Sequence, residues 1–286
     1  MRRLSCALLA LMILWTWIPA LGEEEGLPTY DGPAWTYEVA LADIDEDLLM
    51  LANSASPLDA SYEPSDLRTI TARKDDDDGN NLNDGLYLAS GGVKMLRKSA
   101  FSAVTQLMAA AESDGVILFL RTGYRSYSDQ AKLYARAEQR GDVSDTQKAG
   151  ECDYQTGLAV TLVGRDTRGT ALTTDFASTT EGQWLQKNAA RYGFIFRYPQ
   201  GKEDVTGYGW EPWHLRFVGF AVAEYIQQNN LTLEEFVEEL NVAYDEFAAN
   251  GGDVEQAMNS VRLPKGAVEL ELEGPDGDKE ITIFHD

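Results

Sequence analysis

Gly207-Tyr208-Gly209-Trp210-Glu211-Pro212-Trp213-His214-Leu215-Arg216-Phe217 is the stretch from which the rest of the chain is read. It sets a carboxylate and an imidazole three positions apart, with a proline between them and a tryptophan on either side of Glu211-Pro212, in a chain whose other histidine is His285. Residues 213–218 are expected to form a strand, and Pro212 restricts the backbone where the chain enters it. A Glu-x-x-His pair suits metal-assisted hydrolysis: the imidazole binds zinc, and the carboxylate takes a proton from the metal-bound water and passes it to the leaving amine. The same residues also suit a packed, hydrogen-bonded structural histidine between Trp213 and Leu215, so residue type alone leaves both readings open.

Working outward from this stretch, residues 194–199 predict a strand. Before it, Thr180 with Gln183 resembles a capping box for a helix through Trp184, Leu185 and Tyr192, stopped by Gly193. Residues 151–163 turn from polar to apolar, as a loop feeding a central strand does. Residues 116–120 are a continuous apolar run short enough for a buried strand. Ser126 with Asp129 caps the next helix, which is expected to run to about Gln139. Arg125 therefore sits where a strand hands over to a helix, either facing a cleft or pairing with a surface acid.

Residues 92–114 predict an amphipathic helix, with Leu96, Ala100, Val104, Leu107, Met108 and Ala111 on one face. Residues 48–53 read as a short strand that leads into an extended segment. Past the central stretch, helices are expected at about 218–228 and 232–240. Asp253 with Gln256 suggests a further brief helix, and residues 268–272 and 281–284 suggest a hairpin. This order of segments predicts an α+β fold, with helices packed on a mainly antiparallel sheet.

Composition narrows the function classes. The chain has 286 residues, 44% of them hydrophobic, which is enough for a substantial core. Its formal charge of −23 opposes binding to nucleic acid or to anionic lipid surfaces. Met1-Arg2-Arg3, the apolar run 4–18 and Ala20-Leu21-Gly22 before Glu23 have the three parts of a secretory signal peptide. At about 15 residues the run falls short of the ~20 that span a bilayer, so membrane contact is expected only through this segment if it stays uncleaved. An exported chain that loses Cys6 with this segment keeps Cys152 alone and forms no internal disulfide. Asp75 to Asp78 read as a solvated acidic loop, because a calcium loop centred on Gly79 would put Lys74 and Gly85 at ligand positions. The expected organisation is a signal segment at 1–22, an irregular lead-in at 23–47, one domain at 48–240 and a C-terminal extension at 241–286.

Several motifs share an order with one family. They are Leu51-x-Asn53 with Pro57-Leu58, Tyr62-x-Pro64-x-Asp66-Leu67, Gly123-Tyr124-Arg125-Ser126-Tyr127 with Gln130, Gln155-Thr156-Gly157-Leu158-Ala159-Val160, Tyr192-Gly193-Phe194-Ile195, Arg197-Tyr198-Pro199 and Glu211-Pro212-Trp213-His214. Together they resemble the VanY-type D-alanyl-D-alanine carboxypeptidases, zinc peptidases of the lysostaphin, D-Ala-D-Ala peptidase and sonic hedgehog superfamily. The resemblance spans about residues 48–240. It implies the hedgehog-like D,D-peptidase fold, a peptidoglycan stem peptide or similar D-Ala-D-Ala ligand, and a place outside the cytoplasmic membrane. It also implies Glu211 as base, His214 as metal ligand, and Arg125 as a residue that holds and polarises the substrate. Tyr124, Trp210 and Trp213 are the expected substrate contacts.

The same resemblance exposes a departure. Where the family's motif reads Ser-Glu-His-Gln-Thr-Gly-Leu-Ala-Val-Asp, this chain has Cys152, Asp153, Tyr154 and, at the final aspartate, Thr161. Two of the three implied zinc ligands are thus a phenol and a hydroxyl, poor donors for an ion that takes nitrogen, sulfur or carboxylate. Cys152 is a candidate substitute, as are acids such as Asp153 and Asp175. The expectation is an exported, carboxypeptidase-like protein without the catalytic zinc, acting as a stem-peptide-binding or regulatory module. An active D,D-carboxypeptidase with a rearranged metal site is the alternative, and a scaffold that contacts another wall enzyme is the third reading.

Overall fold

The computed structural model describes residues 44–72, 86–89, 93–143, 146–249 and 251–252, together with the backbone of 267–273 and 279–285. The expected signal segment, the acidic loop and the helix at Asp253 lie outside the described residues. The described residues from 45 to 237 form one compact unit, and the other described residues fall in a second. Among the described residues no helix is long and apolar enough to cross a membrane.

The fold is α+β, as the segment order predicts. A two-stranded ribbon pairs β1 (Leu67–Ile70) with β2 (Lys94–Arg97). The main sheet is antiparallel throughout and runs β3 (Leu118–Thr122), β4 (Ala159–Gly164), β6 (His214–Phe217), β5 (Phe194–Phe196). The helices of this unit are α1 (Lys98–Ser113), α2 (Tyr127–Arg140), α3 (Thr180–Asn188) and α4 (Phe220–Asn229). α5 (Leu233–Ala249) follows. In the second unit, β7 (Ala267–Glu273) and β8 (Lys279–His285) form the expected hairpin.

Strand periodicity explains how one sheet carries both a core and a site. Leu158, Val160 and Leu162 join Leu215 and Phe217 in the same apolar cluster as Leu96, Val104 and Leu107. Successive side chains in a strand point to opposite faces. Thr161 in β4, and His214 and Arg216 in β6, therefore share the other face. Both strands are buried along their whole length, so the polar side chains on that face must find partners inside the protein.

Three local expectations change in the structure. Residues 94–97 are strand rather than the first turn of α1, because Arg97 at the N-cap makes no side-chain capping bond while β1 offers a full set of ladder partners. Residues 48–53 are not a strand, since the Leu48 and Met50 carbonyls accept from Arg216 Nη2 at 2.9 and 2.8 Å instead of from a neighbouring strand. The cap of α3 is Thr179, one residue before Thr180, and its Oγ1 accepts from Gly182 N at 3.0 Å. A Cβ at Gly182 would lie 2.0 Å from the Phe176 carbonyl oxygen, so this entry to the helix requires glycine. The Ser126 cap on α2 forms as expected, accepting from Asp129 N.

Candidate functional site

Glu211 and His214 meet in the turn that enters β6. Glu211 N donates to the Tyr198 carbonyl at 3.0 Å and His214 N to the Glu211 carbonyl at 3.1 Å, which folds the two side chains together. His214 Nδ1 lies 2.7 Å from Glu211 Oε2. The imidazole is fully buried, while the Glu211 side chain keeps 24% exposure. On the far side of the ring, Nε2 lies 3.7 Å from Asp153 Oδ2, an ion contact longer than a hydrogen bond. Burial works to lower the His214 pKa, but the flanking Asp153 and Glu211 carboxylates outweigh it and leave it above the ordinary histidine value.

Asp153 is itself the centre of a buried ion cluster. Its Oδ1 accepts from Arg216 Nη1 and lies 3.6 Å from Arg197 Nε. Burial pushes its pKa up, yet Arg216, His214 and Arg197 hold the carboxyl well below the usual carboxylate range. Arg197 pairs bidentately with Glu234 at 2.9 and 2.5 Å. The sequence marked Arg197 and Arg216 only as parts of motifs. A signal was nevertheless present: a charged residue inside an apolar strand pattern needs a buried partner.

The two positions where the family's zinc ligands are expected hold a different construction. Tyr154 stands in the 3-10 turn Asp153–Thr156, and Thr161 faces His214 across the β4–β6 ladder. The Tyr154 and Thr161 hydroxyl oxygens are 2.5 Å apart, and the Tyr154 ring stacks on the imidazole with centroids 4.4 Å apart and planes 15° off parallel. Gly157 ends the turn at φ 72°, with Arg97, Leu67 and Pro64 crowding the place of a Cβ. Burial first, and the Glu211 charge second, push the Tyr154 phenol far up, so the group stays protonated.

Zinc does not fit this set. Two neutral hydroxyls are bonded to each other, which leaves His214, whose Nε2 makes no hydrogen bond, as one suitable donor where a catalytic zinc takes three. Cys152 does not supply the missing donor. It packs with Tyr154 and Ala159 in a small buried cluster, and burial pushes its thiol up to about 12. Asp153 is held by Arg216 and Arg197 through Oδ1, and its Oδ2 with one imidazole still leaves the set a donor short. Asp175 lines a separate cavity of about 80 Å³ with Thr167, Thr170, Leu172 and Phe176. Among the described residues no group of three His, Cys, Asp or Glu is placed to hold a metal.

Arg125 lies against Tyr154. Its N donates to the Tyr154 carbonyl at 3.2 Å, and its guanidinium carbon lies 4.9 Å from the Tyr154 ring centroid. A buried relay orients it: Arg125 Nη1 donates to Gln130 Oε1 at 2.7 Å, and Gln130 Nε2 donates to the Gln147 carbonyl. Gln147 Nε2 then donates to the Tyr198 hydroxyl at 2.6 Å, and the Tyr198 ring meets His214 edge-on at 5.0 Å. Gln147 lies in a polar connection with no pattern to mark it, and sequence reasoning missed it. Tyr124 and Trp210 are half-buried. Trp213, expected among the substrate contacts, is 8% exposed and packs in the core with Leu215 and Phe217, so it supports the strand from behind.

Comparisons with known proteins place the chain in a family. The family model for D-alanyl-D-alanine carboxypeptidases, VanY, matches residues 93–220. YodJ of Bacillus subtilis (strain 168), named as a carboxypeptidase, is 37% identical over 199 residues, 68% of either chain. The D-alanyl-D-alanine carboxypeptidase of Enterococcus faecium is 31% identical over 193 residues, which cover 67% of this chain and 58% of that protein. Among solved structures, the LdcB LD-carboxypeptidase superposes with a TM-score of 0.55 at 38% identity, covering 66% of this chain and 85% of that one. VanYB in complex with D-alanine-D-alanine gives a TM-score of 0.51 at 26% identity, over 67% of this chain and 97% of that one. On its motifs, its sheet and these likenesses, the chain belongs to the VanY-type D-alanyl-D-alanine carboxypeptidase family of peptidoglycan metabolism.

Proposed function

We propose that this chain is an exported, carboxypeptidase-like protein that binds the D-Ala-D-Ala end of a peptidoglycan stem peptide without hydrolysing it, as a binding or regulatory homologue. The observation that carries this reading is the 2.5 Å contact between the Tyr154 and Thr161 hydroxyls, at the two positions where metal ligands are expected. A catalytic zinc takes three protein donors and one open site, and one histidine cannot replace that set. The recognition side is better preserved: Arg125 is held in a fixed orientation by Gln130, and Tyr124 and Trp210 stay half-buried beside the same motifs. VanYB with bound D-alanine-D-alanine supports the ligand class. Export is supported by the composition of residues 1–22.

The competing reading is an active D,D-carboxypeptidase with a rearranged metal site, and the intact Glu211–His214 pair favours it. Two assays on purified protein separate them. Calorimetric titration with diacetyl-L-Lys-D-Ala-D-Ala is expected to give saturable binding that Arg125→Ala abolishes, and a D-alanine release assay is expected to stay at background with zinc added. Release of D-alanine that depends on Glu211 overturns the proposal in favour of the enzyme. No binding of the peptide leaves the scaffold reading.

A further inference from the structure

The loop that follows β4 carries an arrangement that the Tyr154–His214 site does not use. Phe119 and Arg121 stand in the edge strand β3, Arg121 where the ladder to β4 shifts register between Leu120 and Thr122. Two further arginines come from the loop: the Arg165 and Arg168 guanidinium carbons lie 5.8 and 5.1 Å from the Phe119 ring centroid. Arg121 Nη1 donates to the Thr170 carbonyl at 2.8 Å. The loop is itself tied down, since Gly164 N donates to Thr167 Oγ1 at 2.9 Å and Thr170 Oγ1 to the Thr167 carbonyl at 3.2 Å. Three guanidinium groups therefore gather at one edge of the sheet, in a chain of formal charge −23. Among the described residues none of the three makes an ion pair, although Asp166 lies between two of them in sequence. Uncompensated arginines in so acidic a chain favour an anionic partner, and the guanidinium fork matches phosphate oxygens two at a time.

The cavity of about 80 Å³ lies beside them. Thr170, whose carbonyl holds Arg121, lines it together with Thr167, Thr179, Leu172, Phe176 and Asp175. Its polar groups are acceptors. The Thr167, Thr170 and Thr179 hydroxyls direct their protons to the Gly164, Thr167 and Phe176 carbonyls, and each keeps a lone pair free. Asp175 adds a carboxylate, whose charge turns a phosphate away from the cavity and toward the arginines. We propose that this corner of the sheet is a second binding site, independent of the peptide-binding reading, for a small, free polyol phosphate. The polyol hydroxyls donate to the threonines and Asp175, and the phosphate lies on Arg121 with Arg168. The charge of the whole chain opposes a long polyanion or an anionic surface, whereas a single phosphate group stays within the roughly 8 Å over which salt leaves the arginines unscreened.

The test is titration by NMR or calorimetry at pH 7 and fixed ionic strength, with glycerol 3-phosphate, inorganic phosphate and glycerol as probes. Glycerol 3-phosphate is expected to bind saturably and about tenfold more tightly than inorganic phosphate, with glycerol weaker than either. Arg121→Gln and Arg168→Gln are each expected to weaken glycerol 3-phosphate about tenfold. Arg136→Gln, at an exposed position of α2, should leave it unchanged, and thermal unfolding of each variant checks that the fold survives. Asp175→Ala keeps the arginines but removes acceptors, and should narrow the preference for glycerol 3-phosphate over phosphate. No saturable binding of glycerol 3-phosphate, equal binding of inorganic phosphate, or an affinity that Arg136→Gln lowers as much as Arg168→Gln overturns the proposal. Sedimentation of the protein with phosphatidylglycerol vesicles overturns it in favour of a lipid headgroup. Arg168→Gln should leave the binding of diacetyl-L-Lys-D-Ala-D-Ala unchanged, so the two readings fail separately.

Discussion

Two neighbouring parts of one sheet face have met opposite fates. Around Asp153, every charge has a partner: Arg216 and Arg197 hold the carboxylate, Glu234 holds Arg197, and Arg216 also binds the Leu48 and Met50 carbonyls. At Tyr154 and Thr161 the side chains themselves are neutral, and a hydroxyl–hydroxyl bond with an aromatic stack fills the position. The difference lies in how each arrangement can be dismantled. A buried ion cluster loses one member only by stranding the others, at a cost of about 3–5 kcal/mol. Two ligand positions can change together into a neutral, self-satisfied pair that leaves no buried charge unpaired.

The largest expected effect follows from the ion cluster. Arg216→Leu strands Asp153 in a buried site and frees two backbone carbonyls, so a loss of about 3–5 kcal/mol in urea unfolding is expected. A loss below about 1 kcal/mol would mean that the cluster contributes as little as a surface pair, and the contrast between the two regions would disappear. The Tyr154 side should respond less. Tyr154→Phe keeps the stack on His214 but leaves the Thr161 hydroxyl buried without its partner, for about 1–3 kcal/mol by the same measurement. Thr161→Val added to Tyr154→Phe should recover part of that loss, since both polar groups are then gone.

The clusters also differ in acid. Asp153 has a folded pKa held below its unfolded value near 3.9, so between the two the unfolded chain binds more protons. Its contribution is therefore complete above about pH 5 and is lost as pH falls below about 4. Urea midpoints measured from pH 6 down to pH 2.5 should decline more steeply in the native chain than in Asp153→Asn; parallel curves would contradict the cluster's role. The smallest expected effect is local: Ser126→Ala removes the cap of α2 and should cost about 1 kcal/mol.

The sequence carried most of the fold. Continuous apolar runs placed β3 and β4, and Ser126 marked the start of α2 correctly, because each of these signals is local; the helix expected to reach Gly193 ends at Asn188, and Gly193 instead closes the 3-10 turn that follows. The errors came where a distant partner decided. Residues 94–97 have helical periodicity but pair with β1, and residues 48–53 look like a strand but give their carbonyls to Arg216, 166 positions away from Met50. In the site, Tyr154 and Thr161 could be seen as substitutions, but their mutual bond depends on a 3-10 turn that brings position 154 beside a strand seven residues later. Arg125 was visible at the end of β3. The Gln130–Gln147–Tyr198 relay that orients it was not, because it joins three segments through side-chain amides that have no sequence periodicity.

The central claim is that Tyr154 and Thr161 have closed the metal position, and zinc content tests it most directly. Native protein and the double variant Tyr154→His with Thr161→Asp would be dialysed against the same zinc buffer and assayed by plasma mass spectrometry. The account predicts that the native chain retains only a trace and that the double variant takes up near-stoichiometric zinc, lost again on His214→Ala. Near-stoichiometric zinc in the native chain, removed by the same His214→Ala substitution, would contradict it.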